Sequence, residues 1–284
     1  MKLLIRKNLL QGCNQLVDHS NAILNYVRFS LLRLSPGQTF SERLQGEELG
    51  IVVLSGKCSI RAGEERFEKI GEREDVFAGR AYALYVPNDR EYHVRGETEC
   101  EIALCYARCD EPIAAPKVSH LFTPGQNKLR IVGDGNWRRE VVDIIDQSIP
   151  AQRLLIGETY NPPGNWSSYP PHRHENDNPP VESKHEELYY FRISHPQGFG
   201  FQRIYTDDGS IDETYTLKDG DVTLIPRGYH PVVAGAGYRL YYLWVLAGVG
   251  RTLIMRDDPE HQWIKGGAMS NESRKKRGTL ESAQ

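Results

Sequence analysis

Residues 220–230 read Gly220-Asp221-Val222-Thr223-Leu224-Ile225-Pro226-Arg227-Gly228-Tyr229-His230. A short apolar run closed by turn residues is a strand signal, and the Pro/Gly turn stops that strand and delivers His230 just beyond its end. Upstream, Pro170-Pro171-His172-Arg173-His174 sets two histidines two residues apart. On an extended chain such residues point to one face, so His172 and His174 can project into one interior as a pair of imidazole ligands. Between these segments Glu187 opens the run 187–193, ELYYFRI, in which Glu187, Tyr189 and Phe191 share a face. The three segments together predict strands converging on one metal-binding interior.

The rest of the chain fits that reading. Runs such as VRFSLLRL (27–34), GIVVLSGKCSI (50–60), CEIALCYA (100–107), DVTLIP (221–226) and YRLYYLWVL (238–246) are rich in Val, Ile, Leu, Tyr and Phe and bounded by Gly, Pro, Asn and Asp. That pattern predicts an all-β sandwich or barrel, and no long helical period competes with it. The two halves also echo each other in order. Leu34-Ser35-Pro36-Gly37 answers Asn161-Pro162-Pro163-Gly164, and Glu48 before LGIVVLSG answers Glu187 before LYYFRIS. Tyr85-Val86-Pro87 with His93 answers Leu224-Ile225-Pro226 with His230. A duplicated β-domain is expected, with residues 1–145 in the first copy, 146–265 in the second and a disordered tail over 266–284.

Composition narrows the function classes. The 284 residues are 39% hydrophobic and 26% charged, as in soluble globular proteins, and suffice for two cores. A net charge of −3 argues against a nucleic-acid partner. The Arg274-Lys275-Lys276-Arg277 cluster sits in a polar tail and reads as solvated. No apolar run approaches the roughly 20 residues of a membrane span, and the opening leucines are too short a run for a signal peptide, so a cytoplasmic location is expected. The five cysteines, odd in number and without CxxC spacing, fit reduced thiols.

The Gly164, His172, His174, Glu187 set, followed by Gly220, Pro226, Gly228 and His230, resembles the two motifs of the cupin superfamily. The resemblance implies an all-β fold of two fused cupin barrels in which His172, His174, Glu187 and His230 hold one divalent metal. Zinc or manganese comes first, with iron, cobalt or nickel also compatible with three imidazoles and a carboxylate. Two spacings depart from the common pattern. Twelve residues separate His174 from Glu187 where three or four are usual, which brings Glu175, Glu182 and Glu186 into consideration, with His185 a minor candidate. One residue rather than two lies between Gly228 and His230. The first copy has no HxH and only His93 to answer His230, so it is expected to be a structural barrel.

The stretches NWSSYPPHRH (165–174), PRGYHP (226–231), LSPGQTF (34–40) and DPEHQWI (258–264) make the chain similar to the 5-deoxyglucuronate isomerases of inositol catabolism, from about residue 25 to 264. The resemblance implies interconversion of 5-deoxy-D-glucuronate and 5-dehydro-2-deoxy-D-gluconate by metal-assisted aldose–ketose isomerisation. Proton transfer through an enediolate and hydride shift both stay open, and the catalytic group is a metal-bound water or a barrel side chain. The substrate is then a small uronic acid, and a homo-oligomer is compatible with a bicupin. Its carboxylate calls for a cation. Arg203, on a central strand of the second barrel, is ranked before Arg239 and Lys184, while Tyr189, Tyr242 and Trp244 are expected to wall the pocket. The alternatives are a related 4-deoxy-5-keto-uronate isomerase, a cupin dioxygenase and a sugar-binding cupin.

Overall fold

The computed structural model describes residues 2–21, 23–109 and 116–266, so the basic cluster and all but the first residue of the expected tail lie outside the described residues. Strands dominate, and the only helical segments among the described residues are three 3-10 turns, His19–Asn21, Gly135–Trp137 and Gln262–Gly266. No helix among them is long and apolar enough to cross a membrane.

Two double-layered barrels account for every strand but the separate pair His172–Arg173 and Arg256–Asp257, as expected of two fused cupins. In the first, a six-stranded sheet runs in the order His120–Phe122, Ala83–Val86, Glu47–Ser55, Cys100–Arg108, Val27–Leu34, Gly12–Val17. It faces a four-stranded sheet, Thr39–Arg43, Glu91–Gly96, Cys58–Ala62, Glu65–Ile70. In the second, a seven-stranded sheet runs Leu4–Ile5, Val222–Ile225, His185–Ile193, Leu240–Gly248, Leu155–Asn161, Arg139–Ile145, Lys128–Val132. Its facing sheet is Trp166–Ser167, Val232–Ala234, Gly200–Tyr205, Asp212–Leu217. All pairings are antiparallel.

The large sheets pack back to back, which explains why their central strands are apolar on both faces. Alternate residues of the three central strands, among them Leu32, Leu49, Ile51 and Ile102, fill the first barrel. Their neighbours Phe29, Leu31, Val52 and Ala103 join Ile156, Leu188, Tyr190 and Val245 in the core between barrels, where the Phe29 and Tyr190 ring centroids stand 5.7 Å apart. A strand buried on both sides loses the polar alternation of a half-exposed one.

Strand pairing corrects two expectations. The changeover between barrels falls between Phe122 and Lys128 rather than at residues 145–146, because Lys128–Val132 and Arg139–Ile145 both pair within the second sheet. The polar stretch after Ile145 is a hairpin connection inside that sheet, not a linker. Leu4–Ile5 also crosses over, pairing with Val222 and Thr223. Glu48 is likewise not the counterpart of Glu187. With the Val86-Pro87 and Ile225-Pro226 ends as common anchors, Leu49 pairs with Val86 where Glu187 pairs with Ile225. Glu48 therefore answers Glu186, and the two carboxylates do the same work. Glu48 accepts from the backbone N–H groups of Gln152, Arg153 and Leu154 at 2.6–2.7 Å, and Glu186 from those of Asn25, Tyr26 and Val27 at 2.5–2.7 Å. Each barrel thus clasps a connection between two strands of the other.

Candidate metal centre

The rings of His172, His174 and His230 are each oriented by a backbone carbonyl. The Nδ1–H of His174 donates to His185 O at 2.9 Å, that of His230 to Gly228 O at 2.9 Å, and that of His172 to Pro170 O at 3.3 Å. A carbonyl can only accept, so each Nδ1 carries a proton; the Nε2 of His172 and of His230 is then free to present a lone pair, as a metal-binding imidazole needs, while that of His174 faces the Glu187 carboxylate at 3.1 Å.

The same contacts resolve the unusual spacings. His185 N donates to His174 O at 2.8 Å, which, with the reverse bond from the His174 ring, closes the intervening loop at its base. Inside that loop the Glu182 carboxylate accepts from the N–H groups of Glu175 and Asn176, and the buried Arg173 lies 3.0 Å from Glu175 and 3.4 Å from Glu182. The insertion is pinched off, so Glu187 reaches the histidines as though the gap were short. Glu175 and Glu182 are committed to Arg173 and Glu186 to the first barrel. His185 is not at a loose loop end: it is buried, its Nε2–H donates to Gly250 O at 2.9 Å, and its ring stays 6.3 Å from that of His174. At the other motif, Gly228 has φ +93°, and a Cβ there would lie 2.4 Å from Tyr205 O. Only glycine makes this turn, which sets His230 directly over the interior.

The ligand atoms of His174, Glu187 and His230 all lie within 4.8 Å of one another. Glu187 Oε2 is 3.1 Å from His174 Nε2 and 3.3 Å from His230 Nε2. His172 stands beside this group at the cavity wall, its ring centroid 5.1 Å from that of His230. His230 Nε2 is buried without a hydrogen-bond partner, a costly state for a polar atom unless a ligand answers it. Burial pushes His230 down to about 3, and burial with the neighbouring charges of His174 and Arg139 also lowers His172, so both rings are neutral donors. At His174 burial is outweighed by the hydrogen bond and charge of Glu187, which leave its pKa raised. Converging neutral imidazoles, one carboxylate and an orphaned lone pair fit a divalent metal.

A cavity of about 170 Å³ opens above these groups. Tyr189, Tyr242 and Trp244 wall it as expected, and Leu246, Leu253 and Met255 complete an apolar side. Tyr189 Oη lies 2.8 Å from Ser168 Oγ, and burial with the charge of Glu187 holds its phenol well above the ordinary range. The cation expectation needs correcting. Arg203 projects from the outer face of its strand, its side chain 46% exposed, bound to Asp212 at 2.8 Å and stacked over Tyr205. Residue parity explains the miss, since Gly200, Gln202 and Ile204 take the inner face. Lys184 and Arg239 are exposed and outside the cavity.

Two arginines that the sequence reading passed over do line it. Arg130 is taken by Asp143 through two bonds of 2.6 and 2.7 Å. Arg139 is 7% exposed and donates through Nη1 to Trp137 O and Tyr169 O at 3.2 and 3.1 Å. Burial lowers its pKa. The alternation Arg139, Val141, Asp143 was a usable signal for a cavity face, hidden because residues up to 145 were expected in the first copy. In the first barrel the register puts the buried Tyr92 nearest to the position of His230, while His93 sits on the outer face against Ser41.

The family model described as KduI/IolB family matches residues 3–264. A 5-deoxy-glucuronate isomerase from Geobacillus kaustophilus is 44% identical over 252 residues, covering 88% of this chain and 90% of that protein. Among solved structures, an IolB-like protein from Salmonella typhimurium superposes with TM-score 0.89 at 34% identity, covering 93% of this chain and all of that one. An oxalate decarboxylase from Lactobacillus farciminis, 13% identical with TM-score 0.67 over 94% of this chain and 91% of its own, shares the fold.

Proposed function

The chain belongs to the KduI/IolB family, and from that premise we propose that it is a 5-deoxy-glucuronate isomerase, converting 5-deoxy-D-glucuronate to 5-dehydro-2-deoxy-D-gluconate in inositol catabolism. The observation that carries this beyond the family name is the convergence of His174, Glu187 and His230, with His172 beside them, at a largely apolar cavity. His172, His174, Glu187 and His230 hold one divalent metal, zinc or manganese first. When bound, such a metal supplies Lewis-acid polarisation of the substrate's carbonyl and neighbouring hydroxyl.

The chain's own groups then have definite work. The carbonyls of Pro170, Gly228 and His185 fix the three ring orientations. Trp244, Leu246 and Met255 exclude water and strengthen the polar contacts within. An aldose–ketose change removes a proton from C2 and returns one to C1, with proton traffic between two oxygens. Tyr189, kept protonated by burial and by Glu187, donates to a substrate oxygen, and Ser168 aligns its hydroxyl. Tyr242, its ring centroid 4.3 Å from that of Tyr189, packs against the sugar carbons. The setting is the cytoplasm.

NMR of 5-deoxy-D-glucuronate in heavy water tests the reading. Conversion that stops on chelation and returns with added metal supports it, and deuterium at C1 of the former aldose marks proton transfer rather than hydride shift. No conversion by fully metallated protein overturns it in favour of the 4-deoxy-5-keto-uronate reaction.

A further inference from the structure

We infer that Arg139 is the residue that binds the substrate's carboxylate and so makes the enzyme select an acid over a neutral sugar; this rests on the isomerase reading above. Three observations carry it. Arg139 lines the same cavity as His172, His174 and Glu187, and is almost wholly buried there. No carboxylate pairs with it among the described residues: its hydrogen bonds go to two backbone carbonyls through Nη1 alone, while the other cavity arginine is neutralised by Asp143. A buried guanidinium without a counter-charge is costly to the folded protein, and a guanidinium fork suits a carboxylate.

Position gives the fork its meaning. Arg139 begins a strand of the large sheet, and the bonds from Nη1 to Trp137 O and Tyr169 O fix the side chain from behind. Tyr169 lies three residues before His172, so the loop that holds the guanidinium is the loop that presents the first histidine. A linear six-carbon uronic acid has its carbonyl at one end and its carboxylate at the other. With the carbonyl end on the histidine cluster, the acid end meets the only guanidinium among the described cavity residues that lacks an acidic partner. The preference is therefore written in the wall of the cavity, by a residue preceding the second set of motifs.

The test pairs a change in the protein with a change in the substrate. Wild type, R139Q and R139K, each loaded with the same metal, are assayed on 5-deoxy-D-glucuronate and on 5-deoxy-D-glucose, in which a hydroxymethyl group replaces the carboxylate. R139Q is expected to lose about 100-fold in kcat/KM on the acid, mostly through KM, and less than about threefold on the neutral sugar, with R139K between. Metal content and thermal midpoint report whether the variants remain folded. Calorimetric binding of the reduced acid, in which the C1 aldehyde of 5-deoxy-D-glucuronate is replaced by a hydroxymethyl group and no isomerisation can follow, gives a readout free of turnover, with the same loss of about 100-fold expected in R139Q. Equal losses on both sugars, or unchanged binding of the acid by R139Q, overturn the assignment. Binding of the acid that depends on Arg139 in a wild-type protein without turnover sustains the carboxylate site and removes the isomerase reading instead.

Discussion

At the scale of single residues, the centre depends on where protons sit. His174 and His230 each donate their Nδ1–H to a backbone carbonyl, so truncating either ring removes an inward nitrogen that no neighbour can replace. His174→Ala or His230→Ala should lower bound metal from about one ion to below about 0.1 per chain, measured by elemental analysis, with conversion falling at least about 1000-fold. A bound metal also stabilises the folded state by linkage. Chelation should lower the thermal midpoint of the wild type and leave these variants unmoved. Tyr189 gives a separate expectation. Its pKa is raised well above 10, so the phenol stays protonated through the working range and adds no alkaline limb to the rate profile below about pH 10. Tyr189→Phe should reduce kcat by about 100-fold with KM within about threefold, as loss of a proton donor rather than of a binding wall.

At the scale of elements, two short turns decide whether the candidate ligands meet. Gly228 holds φ +93° against Tyr205 O and offers the carbonyl that fixes His230. Gly228→Ala should cost about 1–3 kcal/mol in urea denaturation and weaken metal binding by about 10- to 100-fold through the displaced carbonyl. The loop between His174 and His185 is the second device. Its base is closed by reciprocal bonds between those two residues, and its interior is organised by Arg173 and Glu182. The unusual length between the histidine pair and Glu187 therefore leaves the ligand geometry intact.

At the scale of the whole molecule, the first barrel supports the second through a common core and buried charge. Arg73, from the first barrel, meets Glu158 on the Leu155–Asn161 strand at 2.7 Å, both essentially inaccessible, and Tyr160 and Tyr241 donate to the same carboxylate at 2.9 Å. Arg73→Met leaves that carboxylate buried without its cation and should cost about 3–5 kcal/mol in urea denaturation. The two barrels should unfold in one transition, because Phe29, Val52, Ile156 and Leu188 belong to a single cluster. Separate transitions by fluorescence and circular dichroism would show the barrels to be independent.

Local pattern determined the strands, the all-β class, the duplication and the histidines with Glu187, because strand periodicity and turn chemistry act over a few residues. The candidate ligand set was readable for the same reason: HRH, ELYYF and PRGYH each place a side chain by parity or by a turn. What the sequence could not settle depends on partners far along the chain. Arg203 and Arg139 both begin or occupy strands of the second barrel, yet one faces solvent and the other the cavity. Pairing across sheets decided which. The same pairing moved residues 128–145 into the second barrel and showed Glu48 to be a clasp rather than a relic ligand. A one-residue shift in register reverses the face of every side chain on a strand, and register is fixed by tertiary packing, which a linear reading does not contain.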